Sequence, residues 1–158
     1  MNSLTGQNGI VEEATYEGHF KAGRRHGQGT ITWADGSSFT GNWRYDQRQE
    51  GEMRFQNGNV YRGTWVNDKL HGKGMILMTS GSIFEGEFVD GVCDSVGKIM
   101  YPNGDIYYGQ HKAFIKDGFG KMIFANGSEY EGGWSNDRKN NEGRLFDKAS
   151  GDVYNGTY

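Results

Sequence analysis

The chain is built on a repeat. An aromatic residue followed two positions later by glycine occurs at Tyr16, Phe39, Tyr61, Phe84, Tyr107, Tyr130 and Tyr154. The mean spacing is about 23 residues, and a fixed period of this size marks a repeat architecture. Each unit is then one small element that cannot bury its apolar side alone, so neighbouring units must stack. Six units are complete. The seventh, "YNGTY" from Tyr154, is a half unit, and its single strand either closes the array or precedes more chain. An unpaired edge there invites another strand to dock.

Within a unit the pattern is that of strands. Tyr16, Gly18 and Phe20 alternate with Glu17 and His19, a period of two. "KAGRRHG" reads as a loop. Gly29, Ile31 and Trp33 then alternate with Thr30 and Thr32 as a second strand. Asp35-Gly36, Asn57-Gly58, Asn103-Gly104 and Asn126-Gly127 close the units and read as two-residue hairpin turns. The expected fold is all-β: an elongated, twisted, single-layer antiparallel sheet of consecutive β-hairpins. It should hold about 13 short strands of about five residues each. Residues 1–15 read as an N-terminal extension and 16–158 as the repeat domain.

Composition fits a core of an unusual kind. Hydrophobic residues make up only 34% of the 158 residues, yet aromatics make up 14%, and there are 27 glycines. Tyr, Trp and Phe must therefore do most of the burying. The glycines share a face with the rings, so a ring can lie across a neighbouring glycine and offset the strand-weakening effect of that glycine.

"YEGHF", "FTGNW", "YRGTW", "FEGEF" and "YEGGW", followed by "HGQG" and "HGKG", resemble the MORN repeat, the membrane occupation and recognition nexus. The resemblance covers residues 16–158. Repeat 5 carries His111 where an aromatic is usual, and repeats 2, 4 and 6 replace the His-Gly pair with "QEG", "DSVG" and "NNEG". The resemblance implies an extended β scaffold of the kind found in cytoskeletal and membrane-junction assemblies, with partner segments bound along the sheet. It also implies two alternatives: a phospholipid-surface or regulatory module of a larger enzyme, and a homodimeric structural rod.

Catalytic and cofactor motifs are lacking in the sequence. There is no Ser/His/Asp order, and "GRRHGQG" lacks the GxxxxGK[ST] of a phosphate loop. Cys93 has no histidine in its own repeat. His26 and His71 fall two repeats apart, roughly 19 Å across four strands, too far to share one metal. A non-enzyme without cofactor is expected. The lone cysteine, the missing signal peptide and the missing apolar span point to a cytoplasmic protein, with cytoskeletal or membrane association. A net charge of −3 argues against non-specific nucleic-acid binding. Lys21, Arg24 and Arg25 form the densest basic group and are the candidates for anionic-lipid contact. Polybasic lipid sites use about 4–8 cations, so solvated loops are the commoner explanation.

Two faces remain as partner surfaces. The first carries Trp33, Phe55, Met78, Tyr101 and Phe124 from the second strands, beside Trp43, Trp65 and Trp134 from the first strands. It is the expected groove for a helical or extended segment of a protein partner. The second face carries Met75, Leu77, Met100, Ile123 and Phe146, polar at the corresponding places of repeats 1 and 2. Burial of that face by a partner or by self-association with a second copy is the expectation drawn from its periodicity.

Overall fold

The computed structural model describes residues 4–5, 11–12 and 14–158. The expected extension over residues 1–15 lies largely outside the described residues. Two short strands, β1 (Leu4–Thr5) and β2 (Val11–Glu12), pair antiparallel. Six hairpins and a final strand follow: β3 (Ala14–Lys21) and β4 (Arg24–Trp33), β5 (Ser38–Arg44) and β6 (Gln47–Arg54), β7 (Val60–Val66) and β8 (Lys69–Leu77). Next come β9 (Ile83–Val89) and β10 (Val92–Met100), β11 (Ile106–Lys112) and β12 (Ile115–Ile123), β13 (Glu129–Ser135) and β14 (Arg138–Phe146), and β15 (Val153–Thr157). Strands β3 to β15 lie in chain order in one 13-stranded sheet. No described residue is helical.

The chain divides into two compact units, Met1–Thr79 with Glu87–Val92 and Ser80–Gly86 with Cys93–Tyr158. In the first, β3 to β8 pair each with the next. In the second, β10 to β15 do the same.

The strands are longer than the sequence suggests: β4 has 10 residues and β8 and β12 have 9. The stretch "KAGRRHG" is not a loop. It holds a two-residue turn, Ala22-Gly23, flanked by the paired residues Lys21 and Arg24. The same turn recurs at Tyr45-Asp46, Asn67-Asp68, Asp90-Gly91, Ala113-Phe114 and Asn136-Asp137, with positive φ at both residues throughout. That is the type I′ signature, whose twist matches the strands it joins. Asn and Asp tolerate it, while Tyr45 and Phe114 bear a steric cost there.

The Asp-Gly and Asn-Gly positions are not two-residue turns. Trp33 N–H donates to Ser37 O, and Gly36 N–H donates to Trp33 O. This is a three-residue loop closed by a glycine at φ 86°. Phe55, Tyr101 and Phe124 open loops of the same kind. The side chain of Asp35, Asn57, Asn103 or Asn126 accepts the N–H two residues on, which favours the bend.

The His-Gly pair serves a bulge. Between Gly18↔Gly29 and Phe20↔Arg25, His19 faces three residues, with Gly27 at φ 72°. Repeat 6 puts Asn141 in that conformation at φ 62°. Repeat 2 shortens the bulge instead. Between Gly41↔Gly51 and Trp43↔Arg48, Asn42 faces two residues, which accounts for the missing residue in that unit.

The core is made of rings laid over glycine pairs. Gly63 pairs with Gly74, and the Tyr61 ring lies across both. The Tyr61 hydroxyl donates to Thr64 O at 3.3 Å. Tyr107 and Tyr130 repeat this, donating to Gln110 O at 2.6 Å and Gly133 O at 3.0 Å. Phe39, Phe84, Tyr61, Tyr107 and Tyr130 are fully buried. Burial pushes the phenols of Tyr61 and Tyr107 up to about 12. The Trp43 indole N–H donates to Gly29 O, and that of Trp134 to Gly120 O, tying each ring to the preceding repeat. The Trp65 indole nitrogen, at the same position, is buried without such a partner.

A Cβ added to Gly74 would lie 2.5 Å from Tyr61 Cε2. Gly74→Ala is expected to destabilise by about 2–3 kcal/mol through overpacking. Combining it with Tyr61→Ala should cost clearly less than the sum of the two, as read by urea unfolding in a double-mutant cycle.

Candidate partner-binding face

On the aromatic face, the fifth residue of each unit stands opposite a recurrent position on the next strand. Register pairs Phe20 with Arg25, Trp43 with Arg48, Trp65 with Leu70, His111 with Lys116 and Trp134 with Lys139. Each cation reaches forward into the next repeat. The Arg25 guanidinium lies 4.3 Å from the Trp43 ring, and Arg48 lies 4.3 Å from Trp65. The Lys116 ammonium lies 5.1 Å from Trp134. These distances are within the range for attraction to a ring face.

The same cations meet a carboxylate from the type I′ turn of the next repeat. Arg25 pairs with Asp46 at 2.9 Å, Arg48 with Asp68 at 2.9 Å, and Lys116 with Asp137 at 2.8 Å. The backbone joins in: Arg25 N–H and Lys116 N–H donate to Asp46 Oδ1 and Asp137 Oδ1. Asp46 N–H and Asp137 N–H donate back to Arg25 O and Lys116 O. Ring, cation and turn acid thus form a clasp between consecutive repeats.

At two junctions every charged member is exchanged. One has Leu70, Phe88 and Gly91, with Gly91 N–H still donating to Leu70 O. The other has Cys93, His111 and Phe114. His111 occupies the Trp position and is buried, with its ring against Phe84 and Phe114. Cys93 Sγ lies 4.0 Å from His111 Nε2, so the histidine absent from its own repeat is supplied by the next. Burial, and then Asp94, push the thiol up to about 11, and burial lowers His111. Both shifts hold the pair neutral, a packing arrangement rather than an activated nucleophile.

Trp43, Trp65 and Trp134 are buried, part of the clasps and the core. Trp33 at the end of its strand, and Phe55, Met78, Tyr101 and Phe124 one residue past theirs, are half-buried. The Tyr101 hydroxyl accepts from Lys116 Nζ at 3.0 Å.

On the opposite face, Leu77 stands across from Val60. In the other unit, Met100, Ile106 and Ile123 are consecutive cross-strand neighbours, then Glu129, Phe146 and Val153. Leu77, Met100, Ile123 and Phe146 thus belong to rows that the sequence had read without Val60, Ile106 and Val153. Met75 lies on the same face in a different row, opposite Arg62, which pairs with Glu52.

Of the basic group, Lys21 and Arg24 are exposed beside the first type I′ turn, whereas Arg25 is held by Asp46 and Trp43. His26 and His71 leave Nδ1 buried without a partner. Among the described residues no group of three or more His, Cys, Asp or Glu is placed to hold a metal. Among the described residues no helix is long and apolar enough to cross a membrane. The clasps went unread in the sequence because cation and acid stand about 20 residues apart. Superposing the units by number would have aligned Arg25 with Arg48 and Lys116 with Lys139.

Two outcomes follow from the clasps. Arg48→Ala should destabilise by about 1–2 kcal/mol in thermal unfolding. Most of that is lost ring contact, because Asp68 is 55% exposed. Burial raises the Asp46 carboxyl, but the Arg25 hydrogen bonds and charge outweigh it and hold the group below its ordinary 3.8. Its stabilisation is therefore present above that value and lost as pH falls through the lower folded value. Melting temperature should drop on acidification in that window, and Asp46→Asn should flatten the drop.

A family model described as MORN repeat matches residues 16–38, 61–83, 84–106, 115–129 and 130–148. The unmatched repeat at 39–60 is the unit with the shortened bulge and has the same two strands. Alsin from Rattus norvegicus and alsin from Homo sapiens are each 32% identical over 71 residues, 41% of this chain and 4% of alsin. The matched stretch is therefore a small part of those relatives. Among solved structures, the TCP10 domain of Danio rerio CPAP, in complex with a peptide of Danio rerio STIL, is 14% identical with a TM-score of 0.45. That match covers 83% of this chain and 64% of the other. The SAS-4 (dCPAP) TCP domain of Drosophila melanogaster, with a proline-rich motif of Ana2 (dSTIL), is 13% identical with a TM-score of 0.39, covering 84% and 85%. The family model alone covers more than half of the chain, and the protein belongs to the MORN-repeat family.

Proposed function

We propose that this chain is a non-catalytic scaffold that binds a segment of a partner protein along its aromatic face, within a cytoskeletal or membrane-junction assembly. One observation carries the reading. Large side chains recur at the ends of the second strands, at Trp33, Phe55 and Met78 in one unit and at Tyr101 and Phe124 in the other, and each is half-buried rather than buried. The Trp positions are buried, whereas each of these side chains keeps part of its surface exposed, apolar surface that a ligand can cover.

The spacing narrows the ligand. Consecutive second strands are two strands apart, about 9.6 Å. Residues seven apart on an α-helix are about 10.5 Å apart. A helix with an apolar residue at every seventh position meets the row with one contact per repeat. Binding of this kind is governed by a few buried aromatic anchors.

The test uses affinity capture and light scattering on the full chain. A partner captured by the wild-type chain should bind the Trp33→Ala/Phe55→Ala variant at least tenfold more weakly, with the variant's β-sheet circular dichroism unchanged. Loss of capture on Leu77→Glu or Ile123→Glu, with Trp33→Ala/Phe55→Ala unaffected, would transfer the binding to the other face. A dimer in light scattering broken by those same charges would assign that face to a second copy.

A further inference from the structure

The type I′ turns of the first unit carry a surface of their own. The residues that flank each turn pair across it: Lys21 with Arg24, Arg44 with Gln47, and Val66 with Lys69. Val89 and Val92 flank Asp90-Gly91 in the same way. The leading residue of each pair follows Phe20, Trp43, Trp65 or Phe88 by one position, so strand alternation puts the pair on the face opposite the rings. All of these flanking residues are exposed and none is acidic. Among the described residues, Lys21, Arg24, Arg44 and Lys69 form no ion pair.

The turns are joined into one border. Asp46 N–H donates to Arg25 O, Arg48 holds Asp68, and Gly91 N–H donates to Leu70 O, so each turn is fixed to the hairpin before it. The turn acids Asp46 and Asp68 are engaged by Arg25 and Arg48 on the aromatic face. Arg24 acts on Asp46 through charge, without a hydrogen bond. Register therefore redraws the basic group of the sequence: Arg25 leaves it, and Arg44 and Lys69 join. Charge and apolar surface are sorted along the border. The first two hairpins present Lys21, Arg24 and Arg44, the third presents Val66 and Lys69, and beyond them stand Val89 and Val92, 58% and 70% exposed.

We propose that this border docks an extended acidic segment of a partner protein. Its Asp and Glu side chains lie on Lys21, Arg24 and Arg44, and an adjoining aliphatic stretch covers Val66, Val89 and Val92. Complementary charge selects the first part of the ligand, and the exposed valines select the second. Seven strand spacings separate β3 from β10, about 34 Å along the border, the length of about ten extended residues. A ligand one chain wide suits the border better than an anionic bilayer. A bilayer laid on this face would also press on Glu50 and Glu87, and one laid end-on against the turns would meet Asp68 and Asp90, all four exposed. The border lies on the opposite face from the aromatic row and stands without it.

The experiment is selection of a random twelve-residue peptide library on the full chain, followed by titration of the enriched peptides. The expected result is enrichment of peptides in which a run of Asp or Glu adjoins aliphatic residues. Arg24→Glu/Arg44→Glu should weaken their binding about tenfold or more, and Arg24→Gln/Arg44→Gln, which removes the charge without reversing it, should weaken it in the same sense. Val89→Ser/Val92→Ser should weaken it by a smaller factor, and circular dichroism should be unchanged in all three. Trp33→Ala/Phe55→Ala should leave binding as it is. If that variant alone abolishes it, the peptides sit on the aromatic row and the border proposal fails. If no acidic peptide is enriched, or if both arginine variants bind the peptides as well as wild type, the proposal is overturned. If vesicles of phosphatidylserine and phosphatidylcholine bind the wild-type chain but not Arg24→Glu/Arg44→Glu, and the peptides do not compete with them, the border belongs to a membrane surface and the proposal is overturned as well.

Discussion

Everything in this fold depends on a ring lying flat on a pair of glycines. Tyr61 over Gly63 and Gly74 is the unit of construction, and Phe39, Phe84, Tyr107 and Tyr130 repeat it. The glycines have to be there because a Cβ would occupy the ring's place. The ring has to be there because two bare strand glycines side by side have nothing else to pack. Neither works without the other, so the aromatic and both glycines recur together. A tyrosine adds a hydroxyl that caps a carbonyl three residues on, and phenylalanine fills the same volume without it.

Within this frame the junctions between repeats are free to differ. Arg25 with Asp46, Arg48 with Asp68, and Lys116 with Asp137 are ionic. The Cys93, His111 and Phe114 group is not, and its members change as a set. A lone histidine in the Trp position would sit beside a cation, and a lone cysteine would strand an aspartate. Replacing all three avoids both conflicts. Phe114 accepts a positive φ unusual for an aromatic, and its ring packs on His111 and Phe84.

Much of this was legible in the sequence. The period, the strand alternation and the pairing of glycine with aromatic residues follow from residue spacing within one unit. They were enough to give the all-β hairpin array and both faces. The turns were misplaced because Asn-Gly is the commonest two-residue hairpin signal, and here it closes three-residue loops. Of the true type I′ turns, Asp90-Gly91 carries a favourable pair, but Tyr45-Asp46 and Ala113-Phe114 carry poor turn residues that give no local turn signal. The clasps and the Cys93–His111 contact join residues about 20 apart, where only the register of neighbouring repeats brings them together. Alternation puts Met75 and Leu77 on one face, as the structure has them, but it does not assign a row. Register with Arg62 is what separates it from Leu77.

The two kinds of junction also differ in how they answer to their surroundings. Apolar contacts weaken on cooling, whereas the desolvation that opposes ion pairing falls as temperature rises, and screening by salt acts only on the ionic junctions. Cold therefore loosens the Cys93–His111–Phe114 seam, while ionic strength loosens the Arg25–Asp46 and Lys116–Asp137 seams. A sheet stitched with both threads has no single mild condition under which all of its repeats come apart together.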